Sequence, residues 1–188
     1  GSPQPSASGS PTGLWPWLGA LIPGRVQPGT IVAHTEPWRL DRPAEVGWLT
    51  GACMVAPRDV LVGLGPFDPA IELYGEDLDL CLRARARGVP SLFRPDLCSV
   101  AHVGGTSTSL AFDPVERARR VAVNRRAVLR RAFGARREAR SWRALRLNLA
   151  LRAAAKAVAG DGEQERIELA ATRAARDVPV LPAPPEPG

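Results

Sequence analysis

Tyr74-Gly75-Glu76-Asp77-Leu78-Asp79-Leu80-Cys81, continued by Leu82-Arg83-Ala84-Arg85-Ala86-Arg87-Gly88, decides how the rest of the chain is read. Three acids fall in what would be the first turn of a helix, arginines in its last turn, and a glycine just beyond. That order complements the helix dipole at both ends and supplies a stop signal. Upstream, Val46 to Ala56 reads as a buried strand, with a glycine at which another backbone or a ligand can approach closely. Pro57 suits the first position of a short helix to Leu61 or Val62, ended by Gly63 and Gly65. Pro66-Phe67-Asp68-Pro69 is a turn, and Val89 to Phe93 and Leu97 to Val103 read as short strands flanking Arg94-Pro95-Asp96. Strand, helix, strand is an α/β rhythm.

Around this centre the chain divides by composition. Residues 1–45 read as an irregular arm: up to Pro28 the prolines at 3, 5, 11, 16, 23 and 28 leave little room for helix or central strand, with Trp15-Pro16-Trp17 and Leu21-Ile22 as apolar spots, and residues 29–45 remain loop-like. His34 and Trp38 in this arm are expected exposed or only partly covered. Residues 46–112 carry the α/β rhythm. Residues 113–177 form a basic helical extension. Asp113-Pro114 is an N-cap followed by proline, and Ala118, Val121, Ala122, Val128, Leu129 and Ala132 share one face that Arg125 interrupts, up to Gly134. Ser141 can cap a second helix from Trp142 to about Ala159, and Asp161-Gly162-Glu163-Gln164 resembles a capping box for a third, to about Arg176. Residues 178–188, rich in proline, read as disordered.

The length of 188 residues suits one compact domain, or one domain with appendages. Cys53, Cys81 and Cys98 are odd in number and lack CxxC spacing, so they read as reduced core residues rather than a disulfide frame or zinc site. No apolar run approaches the roughly 18 residues of a membrane span, and no signal peptide is visible. The net charge of +6 is uneven: from Val115 to Lys156 fourteen Lys and Arg face only Glu116 and Glu138, so this stretch carries +12 and the remainder −6. Such a segment invites an anionic neighbour, whether a phospholipid surface, nucleic acid or a phosphorylated substrate. The alternative is a solvated helical face packed on the α/β part. Surface attachment ranks first; no recognition helix or RNA-stacking aromatic pair is visible, so nucleic acid ranks last.

Each candidate chemical residue has two readings. Glu76, Asp77 and Asp79 stabilise a helix start by roughly 0.3–1 kcal/mol each whether or not they do chemistry. Asp77-Leu78-Asp79 is a DxD triplet, but side chains two apart diverge around a helix, so the metal signal is weak. His102 is either a structural histidine after a strand or a metal ligand. Gly104-Gly105-Thr106-Ser107-Thr108-Ser109 is either a surface connection or a loop whose N–H groups and hydroxyls meet phosphate oxygens.

Taken in order, these pieces resemble something specific. Trp48-Leu49-Thr50-Gly51-Ala52, Gly65-Pro66-Phe67-Asp68, Leu73 to Arg83, Gly88 and His102-Val103-Gly104-Gly105-Thr106-Ser107 are similar to the C-terminal half of the catalytic domain of family 2 glycosyltransferases of GT-A type, rhamnosyltransferase-like branch. The spacings agree over about residues 46 to 109. Asn124-Arg125 and Phe133-Gly134 fit what usually follows, and Gly1-Ser2-Pro3-Gln4-Pro5-Ser6 resembles the loop that precedes this half. The resemblance implies a partial GT-A fold followed by basic helices. It implies that Asp77 is the general base toward an acceptor hydroxyl, with Glu76 orienting acceptor or loop. It also implies that Trp48, Thr50, Gly51 and Ala52 line the sugar and acceptor pocket, that Gly104, Gly105 and Ser107 close near the phosphates, and that His102 joins a Mg²⁺ or Mn²⁺ shell.

The family's N-terminal half, with the nucleotide-binding strands and the metal-binding DxD, has no counterpart in this sequence, and Asp77-Leu78-Asp79 occupies the base motif instead. The chain, which starts at Gly1 rather than Met, is therefore expected to be a fragment, a truncated product or one part of a split enzyme, with little activity alone. The expected function is inverting sugar transfer, with rhamnose the commonest association, from a nucleotide-diphosphate donor to a cell-envelope or lipid-linked saccharide. The expected location is cytoplasmic, peripheral on the inner face of a bacterial plasma membrane. The rival reading is a non-catalytic basic adaptor for anionic lipid or nucleic acid, with the transferase scaffold as a relic.

Overall fold

The computed structural model describes residues 4–22, 27–65, 67–101, 113–158, 162–175 and 177–184. The class is mixed α/β, with helices predominating over two small antiparallel sheets. In chain order the elements are β1 (Ala7–Ser8), α1 (Trp15–Leu21), α2 (Gly29–Thr35), a 3₁₀ turn (Pro37–Arg39), β2 (Ala44–Val46), β3 (Trp48–Leu49), α3 (Arg58–Leu64), α4 (Glu76–Ala86), β4 (Ser91–Phe93), α5 (Pro114–Val158) and α6 (Glu163–Ala174).

The centre is α4, and it behaves as its sequence demands. Leu78 and Leu82, one turn apart, join Ile71, Val128 and Leu129 in one buried cluster, against which Trp48, Phe133 and Leu181 pack. Leu80 and Ala84, on a different face, pack with Leu64. Cys81 lies between them, buried, and its Sγ accepts the Leu49 N–H at 3.4 Å. A helix apolar on several faces has to be surrounded, and this one is. Its end follows the expected glycine stop, with Gly88 at φ 77° and the Val89 N–H on the Ala84 carbonyl at 2.9 Å.

Charges inside this core are paired. Asp79 is buried and accepts from Arg83 at 2.8 Å and from Arg131 at 2.6 Å. Arg131 also holds buried Asp68, and Arg83 donates to the Leu64 carbonyl. Burial acts to raise the Asp68 pKa, but the Arg131 hydrogen bond and charge bring it below the usual carboxylate value. Asp79 thus anchors α4 to α5 rather than standing beside Asp77 as a metal triplet.

Several expectations need correction. The arm is not irregular: β1 pairs with β3 (Ala7 with Leu49, Ser8 with Trp48), and α1 and α2 form within it because Pro16 occupies the first turn of α1 and Pro28 precedes α2, where prolines cost no hydrogen bond. His34 is exposed and Trp38 half-buried, as expected. The strand expected from Val46 to Ala56 is cut at Gly47. β2 pairs with β4 (Ala44 with Phe93, Val46 with Ser91), β3 pairs with β1, and Val55 is 93% exposed. No strand forms over residues 97–101, where Leu97 is 67% exposed. Cys53 and Cys98 are exposed, so of three cysteines expected in the core only Cys81 is buried. All three are free thiols.

In α5, Asp113 Oδ1 caps Val115 and Glu116 at 2.8 and 3.0 Å, as Asp113-Pro114 predicts. Gly134 (φ 78°, ψ 163°) interrupts the helix, which resumes well before the expected Ser141 cap. Buried Glu138, just past that interruption, accepts from Arg126 at 2.6 Å and Arg130 at 3.1 Å, which ties the two halves together. Val121, expected on the apolar face, is 40% exposed. The N-cap of α6 is Gly162 without a side-chain cap, and Asp161 lies outside the described residues. The segment expected to be disordered contributes Leu181 to the main cluster and the Pro182 carbonyl to Arg131 at 2.9 Å.

Candidate functional site

The turn into α4 is strained in a specific way. Tyr74 has φ 67° and Gly75 φ 109°, so a bulky side chain sits in a backbone region that normally favours glycine. Such strain persists only where the surroundings fix it, and it clusters at functional sites. Here α5 does the fixing: Asn124 Nδ2 donates to the Leu73 carbonyl at 2.8 Å, and a Cβ on Gly75 would stand 3.4 Å from Asn124 Cβ.

The turn delivers Asp77 to the chain following β3. The Gly51 N–H donates to Asp77 Oδ2 at 3.0 Å, and the Leu78 N–H to Oδ1 at 2.7 Å. Gly51 itself is held by its neighbour, because the Thr50 N–H donates to Ser6 and its hydroxyl to the Pro5 carbonyl, at 3.0 and 3.1 Å. The Thr50 hydroxyl, expected to line a pocket, is therefore engaged with the arm. Gly51 and Ala52 are exposed, and Asp77 is half-buried beside them.

On β3, in the turn before α4 and at the start of α4, three polar atoms lack partners. Trp48 Nε1, Tyr74 Oη and Glu76 Oε2 are buried with no hydrogen-bond partner, three of five such side-chain atoms among the described residues. Buried polar atoms are normally paired, and each orphan costs about 1–3 kcal/mol. Burial raises the Glu76 pKa and the Asp77 charge adds to it, while the backbone N–H groups of Glu76 and Tyr74 act the other way. Glu76 thus holds its proton to a higher pH than an exposed glutamate does, next to Asp77. Paired carboxyls in unlike environments can divide donor and acceptor roles toward a bound hydroxyl.

Of the residues expected at a site, Trp48 lies on β3, Thr50, Gly51 and Ala52 on the chain just after it, and Glu76 and Asp77 at the N-terminus of α4, which contacts β3. His102, Gly104, Gly105 and Ser107 lie outside the described residues. Tyr74 and Asn124 were not assigned a role from sequence, although a tyrosine directly before a helix-opening glycine was a signal for an unusual turn.

Among the described residues, no three His, Cys, Asp or Glu side chains converge to hold a metal ion. Asp77 accepts one backbone N–H on each oxygen, and Asp79 is held by two arginines. These residues do not fit a divalent cation. No described helix is long and apolar enough to cross a membrane. The chain matches no family model, no curated protein and no solved structure.

Proposed function

We propose that this chain is the acceptor side of an inverting glycosyltransferase of family 2, GT-A type, with Asp77 as the general base. The observation that carries the reading is the Gly51-to-Asp77 hydrogen bond beside three orphaned buried polar atoms. Two motifs singled out by their resemblance meet in space, and they meet where the chain is short of hydrogen-bond partners. An acceptor hydroxyl can reach half-buried Asp77 beside exposed Gly51 and Ala52, whereas the three orphaned atoms are enclosed.

In this mechanism the acceptor O–H gives its proton to Asp77 as its oxygen attacks the anomeric carbon of a nucleotide-diphosphate sugar. The bond from that carbon to the diphosphate breaks on the opposite face, and the nucleoside diphosphate leaves with the bonding electrons. One displacement inverts the configuration and needs one base on the acceptor side. Glu76 orients the acceptor. The Mg²⁺ or Mn²⁺ that the resemblance implies is assigned to no described residue, and the role of Asp77 is stated without it. The donor-binding strands belong to a separate segment, so this chain alone transfers little or no sugar. The donor sugar is rhamnose by association only, and the acceptor a cell-envelope or lipid-linked saccharide.

The test measures transfer from labelled nucleotide sugars with the chain reconstituted with a donor-binding half. Transfer that survives Asp77→Asn overturns the catalytic assignment, and robust transfer by the chain alone overturns the need for a separate donor half.

One observation favours a second reading, an adaptor for anionic membrane. Half of the basic residues from Val115 to Lys156 are absorbed by carboxylates: Arg119, Arg120, Arg126, Arg130, Arg131, Arg152 and Lys156 all make ion pairs. Arg136, Arg140 and Arg143 are exposed, form no ion pair among the described residues, and lie within about 60° on one helical face. This stripe fits a peripheral location on the inner face of a plasma membrane and is compatible with either function. Nucleic acid remains the last-ranked partner.

A further inference from the structure

Arg125, which breaks the apolar face of α5, points to a second site. Its neighbour Asn124 grips the turn before α4, while the Arg125 side chain, about 100° round the helix, lines a cavity of about 200 Å³. The cavity lies between α1, α2, the chain just after β1, and the second half of α5, and its wall includes Ser10, Trp15, His34, Ser141 and Arg152. Trp15 and His34 stack at 3.9 Å between ring centroids, 21° from parallel, which makes one wall flat and rigid.

The charges here do not balance. Glu36 also lines the cavity, but its carboxylate is bound to Arg39 at 3.0 Å. Arg152 reaches Glu165 at 3.3 Å. Arg125 is half-buried and has neither an acidic nor a carbonyl partner among the described residues. Desolvation lowers its pKa, yet a guanidinium stays charged at any ordinary pH. Ser141 is buried on the same wall. A half-buried guanidinium without an acidic partner, on the same cavity wall as the Ser141 hydroxyl, supplies the parts of an oxyanion site.

We propose that this cavity binds a phosphate group, with the Arg125 guanidinium as its anchor and the Ser141 hydroxyl as a second donor. Arg152, on the same wall, is paired with Glu165, so Arg125 is the cation that the site relies on. The volume leaves room for free phosphate or for the phosphate end of a small ester. The site is separate from Asp77 and does not depend on the function proposed there.

The test is thermal unfolding of the full chain in chloride buffer of fixed ionic strength, with and without inorganic phosphate. Phosphate is expected to raise Tm in the concentration-dependent manner of a ligand that binds only the folded state. Arg125→Met is expected to be at least as stable as wild type without phosphate, since an unpaired charge is gone, and to lose the phosphate-dependent rise. Ser141→Ala should retain the fold and weaken apparent phosphate affinity by about tenfold, the loss of one hydrogen bond to a charged group. Glycerol 3-phosphate run in parallel separates the sources: a larger shift than with phosphate identifies an ester, and an equal shift free phosphate, both upholding the site. No shift in wild type, an undiminished shift in both variants, or an Arg125→Met chain less stable than wild type without phosphate overturns it.

Discussion

The Gly51 amide donates to Asp77 Oδ2 at 3.0 Å across 26 positions of sequence. This one bond joins the chain after β3 to the N-terminus of α4. It also fixes one carboxylate oxygen while leaving the acid half-buried.

Asp77→Asn separates structure from chemistry. The amide oxygen can keep only one of the two N–H bonds, from Gly51 or Leu78, so stability in urea should fall by about 1–3 kcal/mol. Sugar transfer by the reconstituted enzyme should fall by about 10²–10⁴, the usual worth of a general base. A comparable loss of both stability and activity would make Asp77 a structural residue.

Glu76→Gln should stabilise the chain at neutral pH. A carboxyl whose pKa is raised on folding contributes stability below its unfolded value, ordinarily about 4.5, and that contribution is lost as pH rises through the folded value. Glutamine cannot ionise. The urea midpoint of the variant should match wild type near pH 4 and exceed it at pH 7. If Glu76 served only as a charge at the helix start, the variant would be less stable at pH 7, because the dipole favours the ionised form.

Much of this centre could be read in the sequence, and the reason is local. Acids before arginines and a glycine after them specify α4 with little help from distant residues, so its extent and the positions of Glu76 and Asp77 came through. Of the strands, the one expected over Val89 to Phe93 forms as β4 (Ser91–Phe93), while the others were missed or mis-bounded, because each is two or three residues long and is defined by its partner. Gly47 looks like a mid-strand residue until Gly9 is seen against it. The arm failed for the same reason: its prolines suggested no structure, whereas β3 and α5 give it some. Asp77 and Gly51 were legible as separate motifs, but the orphaned atoms of Trp48, Tyr74 and Glu76 were not, since burial without a partner is a property of packing.

Arg131→Met should be strongly destabilising, by about 3–5 kcal/mol in urea or guanidinium unfolding, because it strands two buried carboxylates, Asp68 and Asp79. The sign of the pH effect is set by Asp68. Its folded pKa lies below its ordinary 3.8, so wild type keeps this contribution at neutral pH and loses it as pH falls below about that value. The deficit of the variant should therefore shrink in acid. Arg137→Met, at an exposed position, should change stability by no more than about 0.5 kcal/mol.

Gly47→Ala tests how the arm supports the site. A Cβ there would fall 2.2 Å from the Gly9 carbonyl oxygen, so β1 must move off β3. The expected cost is about 1–3 kcal/mol, as for other overpacked positions. Hydrogen exchange at the Gly51 amide should also speed up, because Thr50 loses its hold on Pro5 and Ser6. At Gly51 a Cβ would stand 3.5 Å from Asp77 Cβ, an ordinary contact, so Gly51→Ala should be mild by comparison.

The triple change Arg136→Gln, Arg140→Gln and Arg143→Gln addresses the basic face without touching the core, since all three are exposed and outside the ion pairs. Each arginine near an anionic bilayer is worth about 1 kcal/mol, so the variant should partition onto phosphatidylserine vesicles roughly a hundredfold less than wild type. Wild-type pelleting should fall as salt rises, and the Tm of the variant should be unchanged within error. Arg126→Gln would be the wrong control, because its guanidinium is bound to buried Glu138 and its loss would unsettle the Gly134 junction. If wild type fails to pellet with anionic vesicles, or pellets equally in high salt, the exposed stripe is only a solvated face and α5 serves the site through Asn124 and Arg131 alone.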